Sequence, residues 1–150
     1  MNDGRPGDAT IPRQHAIRLD FDCDPMLQAL VTLAESGSGL PVTLQTGGML
    51  VTGNVVTGHH FVLHVLDDVV GTLTNEALRA NLNDTFRSFL DFYPARTTQP
   101  DGRTTVYIHL ENARFFAPGE TRATPDGKGV FWRGNISRVV GFNFGILEVQ

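Results

Sequence analysis

Three histidines and two aspartates fall within one short stretch: His59, His60, His64, Asp67 and Asp68. On a helix, His60 and His64 lie four residues apart and share a face with Asp67 or Asp68. Two imidazoles and a carboxylate are a donor set for zinc. The spacing matches no strict zinc signature, however, and a solvated helix face accounts for the same residues. No metal or other cofactor is assigned on this evidence. Asp20, Asp22 and Asp24 alternate as in a calcium loop. Counting from Asp20, Pro25 and Val31 stand where such a loop needs glycine and glutamate, so capping and solvation are the better reading. Cys23 has no matched histidine and asparagine partners and reads as a structural thiol. Asn135-Ile136-Ser137 fits a glycosylation sequon but falls in a strand pattern. No phosphate loop, dinucleotide fingerprint, nucleophile elbow or HExxH motif is present. The chain reads as non-catalytic.

Composition narrows the partners. The chain has 150 residues, a length for one domain, and 41% of them are apolar, enough for a core. Charged residues make up 19%, and the formal net charge is −4. A protein devoted to phosphate neutralisation is usually basic, so the charge argues against nucleic acid. One cysteine excludes an intrachain disulfide. The N-terminus lacks the apolar stretch of a secretory signal, and no apolar run reaches the ~20 residues of a membrane span. A cytoplasmic location, away from membranes, is expected.

The elements that must position these residues are legible from patterning. Residues 1–16 read as a flexible polar arm, followed by a single domain over 17–150. Asp24 caps a helix from Pro25 to about Ser36, with apolar Met26, Leu27, Leu30, Val31 and Ala34, and Gly37 closes it. Pro41–Gln45 and Met49–Thr57 read as strands joined at Gly47-Gly48, and Gly53 predicts a bend in the second. A helical insertion spans about 58–93. In it, Thr74 caps a helix whose Leu78, Leu82, Phe86, Phe89, Leu90 and Tyr93 form one stripe. Polar turns at 97–103 and 118–128 separate strands over Thr104–Phe116, Val130–Ile136 and Arg138–Val149. The fold class is α+β: an N-terminal helix plus five strongly bent antiparallel strands, with the helical insertion between the second and third. That is the order of an Sm-like barrel, an analogy of fold alone.

Aromatic residues crowd the last three strands: Phe115, Phe116, Phe131, Trp132, Phe142 and Phe144. Alternation puts Phe131 opposite Trp132, and Phe142 and Phe144 on one face. Some rings must then lie outside, unless the helix from Asn75 to Tyr93 packs over the sheet. An uncovered set marks a contact surface, and the candidate residues are Phe115, Phe131, Trp132, Arg133, Gly134, Phe142 and Phe144. Edge strands offer a further route to a homo-oligomer. In Sm-like proteins an Arg-Gly pair at the matching strand end lines a nucleotide pocket, which makes an Sm-like RNA-binding ring the alternative reading of Arg133-Gly134. The better expectation is that Trp132 fills the interior and Arg133 pairs with a rim carboxylate. The Asp-x-x-x-Asn pattern of the first Sm motif is also missing, since Gly58-His59-His60 leads into helix.

Tyr107-Ile108-His109-Leu110-Glu111-Asn112-Ala113-Arg114, then Gly127-Lys128-Gly129, then Val130-Phe131-Trp132-Arg133-Gly134-Asn135-Ile136 and Gly141-Phe142-Asn143-Phe144-Gly145, stand in sequence. Together they resemble the GvpU family of gas vesicle accessory proteins. Gly53 and Thr57 leading into the helix with Phe61 agree, so the resemblance covers roughly residues 25–149. It implies a minor accessory protein, not the ribbed shell, acting in vesicle assembly or in how vesicles associate. The implied partners are gas vesicle proteins. The chain ends at Gln150 without the hydrophilic tail of some members, so clustering that depends on such a tail is not expected on this resemblance.

Overall fold

The computed structural model describes residues 22–37, 39–93, 95 and 106–148. The arm expected over 1–16 and the turn expected over 97–103 lie outside the described residues. Helix α1 spans Pro25–Ala34. Asp24 accepts hydrogen bonds from the backbone N–H of Met26 (2.8 Å) and Leu27 (3.3 Å), and Pro25 occupies the first turn. Those two features fix its start. Gly37 adopts φ 102° and turns the chain out.

Five strands follow: β1 Leu40–Thr46, β2 Met49–Val56, β3 Tyr107–Phe116, β4 Val130–Asn135 and β5 Val139–Phe144. They form one antiparallel sheet in the order β4-β3-β2-β1-β5. Gly47 and Gly48, both at positive φ, make the β1–β2 turn. At Gly53 the β2–β3 register slips, and a Cβ there would sit 2.9 Å from the Glu111 carbonyl oxygen. Only glycine lets the strands approach so closely. Asn112 adopts φ 50° within the bulge of β3, and its side chain accepts a hydrogen bond from Gly129 N–H at 2.8 Å.

The inner face carries the core. Leu27, Val31 and Ala34 of α1 form one buried core with Val42, Leu44, Val51, Val55, Ile108, Leu110 and Ala113, together with Cys23 and Ile136. Alternation along each strand puts these side chains on one face.

The sheet curls but does not close into a barrel. A single 3-10 turn, Ile136–Arg138, joins β4 to β5. Its chain reaches at most ~14 Å even if extended. A flat sheet would put strands at opposite ends of this order ~19 Å apart. The sheet must therefore bend until its two end strands converge at the buried Ile136. Among the described residues no ladder joins β4 to β5, and no further strand pairs with the outer edge of either.

Between β2 and β3 come α2 (Gly58–His64), a π-helical turn at Val65–Val69, a 3-10 turn at Val70–Thr72 and α3 (Glu76–Ser88). The cap of α3 is Asn75, not Thr74: its side chain accepts from Leu78 N–H at 3.0 Å. Both residues are good caps, and they are adjacent. Whether helix α3 covers the aromatic sheet was open from the sequence, and it does not. None of its residues is buried, and it packs chiefly on the π and 3-10 turns. It is α2 that lies against the outer face, over β3. Among the described residues no helix is long and apolar enough to cross a membrane.

Candidate functional site

The aromatic set divides between the two faces of the sheet. Phe115, Trp132 and Phe142 turn inward and are half-buried against the core. Phe115 and Trp132 meet edge to face at 6.5 Å. The Trp132 ring folds over Gly134, where any Cβ would collide with it. Phe142 and Phe144 meet at 5.9 Å. Phe144 nevertheless stays 62% exposed, and Val140 on the same strand is 77% exposed. Of the candidate aromatic residues, Phe144 is the one left mostly in solvent, on the outer edge of β5.

Phe131 points outward and is covered by α2. His64 stacks on it with ring centroids 3.7 Å apart, and His60 approaches at 5.5 Å. His64 Nδ1 lies 2.8 Å from Asp68 Oδ2, and His60 Nε2 lies 3.4 Å from Glu111. His59 turns elsewhere, its Nδ1 2.8 Å from the Tyr93 carbonyl oxygen. His60 and His64 thus share the Phe131 ring but meet different carboxylates, while His59 contacts neither. Among the described residues no three His, Cys, Asp or Glu side chains are grouped to hold a metal.

A second cluster joins the ends of the insertion to the sheet. His109 is fully buried, tilted against Phe61 at 4.9 Å and edge-on to Tyr93 at 5.3 Å. Neither ring nitrogen has a hydrogen-bond partner. Burial, and then the nearby Arg133 guanidinium, lower its pKa to about 4, so the ring is neutral at pH 7. Arg133 was expected to pair with a rim carboxylate. It instead lies over the Tyr107 ring at 4.0 Å and near that of Tyr93 at 5.9 Å. Burial raises the Tyr93 hydroxyl above its ordinary value, against the pull of Arg133. Glu35, also raised by burial, accepts a hydrogen bond from Gly58 N–H at 3.0 Å. This ties the end of α1 to the start of α2.

Sequence reasoning missed this cluster. Alternation puts Tyr107, His109 and Glu111 on the outer face and says nothing about what covers it. Also missed was the strap formed after β5. Gly145, at φ 99°, turns the chain back across β1 and β2. There the Thr43 hydroxyl donates to the Gly145 carbonyl at 2.9 Å, and the buried Thr52 hydroxyl accepts from Leu147 N–H at 3.0 Å.

The fold and its surfaces define a small α+β protein with helices on both faces of one antiparallel sheet. Its distinctive residues are those that carry close backbone contacts: Gly53, Asn112, Gly129 and the Trp132–Gly134 pair. The profile of the family described as gas vesicle protein GvpU-like matches residues 24–147. The chain belongs to this family. No curated protein and no solved structure matches it with significance.

Proposed function

We propose that the chain is a non-catalytic gas vesicle accessory protein, supporting vesicle assembly or clustering in the cytoplasm through contacts with vesicle proteins and with copies of itself. The observation that carries this reading is the outer edge of β5, which no strand among the described residues pairs and where Val140 and Phe144 stand exposed. The outer edge at the other end of the sheet, β4, carries the exposed Val130. A curled sheet with two such edges suits an Sm-like arrangement in which β4 of one copy pairs with β5 of the next. Repeated head-to-tail contacts of that kind close into a ring when the rotation allows.

The RNA-binding alternative has one observation in its favour, an exposed Arg133 stacked on tyrosine. The net charge of −4 weighs against it. Light-scattering mass tests self-association: a multiple of the monomer that falls in Val140→Glu/Phe144→Glu supports the reading. Flotation with purified gas vesicles tests the vesicle role, and wild-type protein left in the infranatant would sink it. Salt-sensitive oligo-U binding lost in Arg133→Ala would favour RNA instead.

A further inference from the structure

Outside the sheet edges, the tip of the β1–β2 hairpin holds a solvent-open cavity of about 590 Å³. Leu50 and Phe116, opposite one another on β2 and β3, form its floor. Met49 and Leu147 extend the apolar wall, with Met49 38% and Leu147 37% exposed. The size falls in the ~300–1,000 Å³ range of ligand sites. The rim carries Glu120 and Glu148, and among the described residues no lysine, arginine or histidine lines the groove. Among the described residues neither carboxylate enters an ion pair.

These features select an occupant. Leu50 pairs on both sides, with Gln45 and with Phe116, so no strand can be added here and recognition must come from side chains. An apolar floor wants apolar side chains, and an uncompensated acidic rim wants cations beside them. The exposed helix α3 of a second copy fits poorly, because Glu76 and Asp84 cancel Arg79 and Arg87.

We infer that this groove docks a basic amphipathic segment of a gas vesicle protein, with apolar side chains on Leu50 and Phe116 and a lysine or arginine beside Glu120 or Glu148. The inference rests on the vesicle role proposed above and names the surface that performs it. Strand edges then serve self-association and grooves serve the vesicle. An assembly of several copies presents several grooves, so modest single-site affinity becomes strong avidity.

The test uses the full chain and two synthetic amphipathic peptides of equal length, one of leucine and lysine, the other of leucine and glutamate. Methyl NMR of Leu50 and Leu147 follows each titration. The lysine peptide should shift both residues and bind at least ~10-fold more tightly than the glutamate peptide, a difference of about 1.4 kcal/mol. Glu120→Lys/Glu148→Lys changes two exposed side chains and should reverse the preference. Absence of shifts at Leu50 and Leu147, or an unchanged preference in the variant, would overturn the inference. Vesicle flotation separates the two levels. Wild type that floats beside a variant that does not supports the groove. Equal flotation of both overturns the groove and leaves the vesicle role standing. If wild type does not float, the vesicle role fails and the identity of the partner fails with it.

Discussion

The Tyr93 ring lies directly on the Cα of Gly58, so closely that no side chain could be added there. The insertion begins at Gly58 and ends its last turn beside Tyr93, so this contact closes the helical excursion on itself. His59, donating to the Tyr93 carbonyl, closes it a second time. A segment pinned at both ends has less chain entropy to lose when it docks on the sheet.

The contact predicts the sign of a substitution that propensity alone would get wrong. Alanine in place of glycine inside a helix usually stabilises by up to ~1 kcal/mol. Gly58→Ala should instead destabilise by about 1–3 kcal/mol, because Tyr93 must leave its place. In a Tyr93→Ala background the same change should become neutral or stabilising. Urea denaturation of the four proteins reads the coupling, and additive effects would show that the ring does not constrain Gly58.

His109 predicts the acid limb of stability. Its folded pKa of about 4 lies below the 6.5 of a free imidazole. Between those values the unfolded chain takes up a proton that the folded chain refuses. Stability is then complete above pH ~6.5 and falls as the pH drops toward 4, by on the order of 3 kcal/mol. Glu35 works in the opposite sense. Its raised pKa contributes stability that is lost as pH rises through the folded value, which blunts the net slope. His109→Leu should remove the His109 part and also relieve two unpaired buried nitrogens. Chemical denaturation at pH 7 and pH 5 measures it: the variant should lose less stability between the two than wild type. An equal loss would place the titrating group elsewhere.

Local signals in the sequence were read correctly where one residue decides the outcome. Asp24-Pro25 starts α1, Gly47-Gly48 turns the hairpin, and Gly53 marks the slip in register. Thr74 and Asn75 are adjacent and both can cap, and asparagine is the stronger cap of the two, so the one-residue error at α3 carries no physical surprise. What stayed hidden depends on which distant surfaces meet. The stripe on α3 is real, yet periodicity cannot say whether it faces the sheet or the neighbouring turns. Phe131 and Trp132 were rightly put on opposite faces, while the histidine that stacks on Phe131 comes from the insertion and left no local trace. The same limit applied to Arg133, which stacks on Tyr107 and Tyr93 where a carboxylate was expected.

Trp132 and Gly134 make the motif Phe131-Trp132-Arg133-Gly134 physically testable. The two residues sit on the same face of β4, two apart, and the indole covers the space that a Cβ at 134 would need. Gly134→Ala therefore forces the indole away from the place where it meets Phe115 and the core. The chain has a single tryptophan, so its fluorescence reports on this site alone. The emission should move to longer wavelength as the half-buried ring becomes wetter. Stability should fall by about 1–3 kcal/mol, the usual cost of overpacking. Ser137→Ala, at an exposed position in the turn beyond β4, should leave the emission unchanged. If Gly134→Ala keeps both the emission and the stability of wild type, β4 can take a side chain at 134 without moving Trp132. The glycine would then have no packing role in this strand.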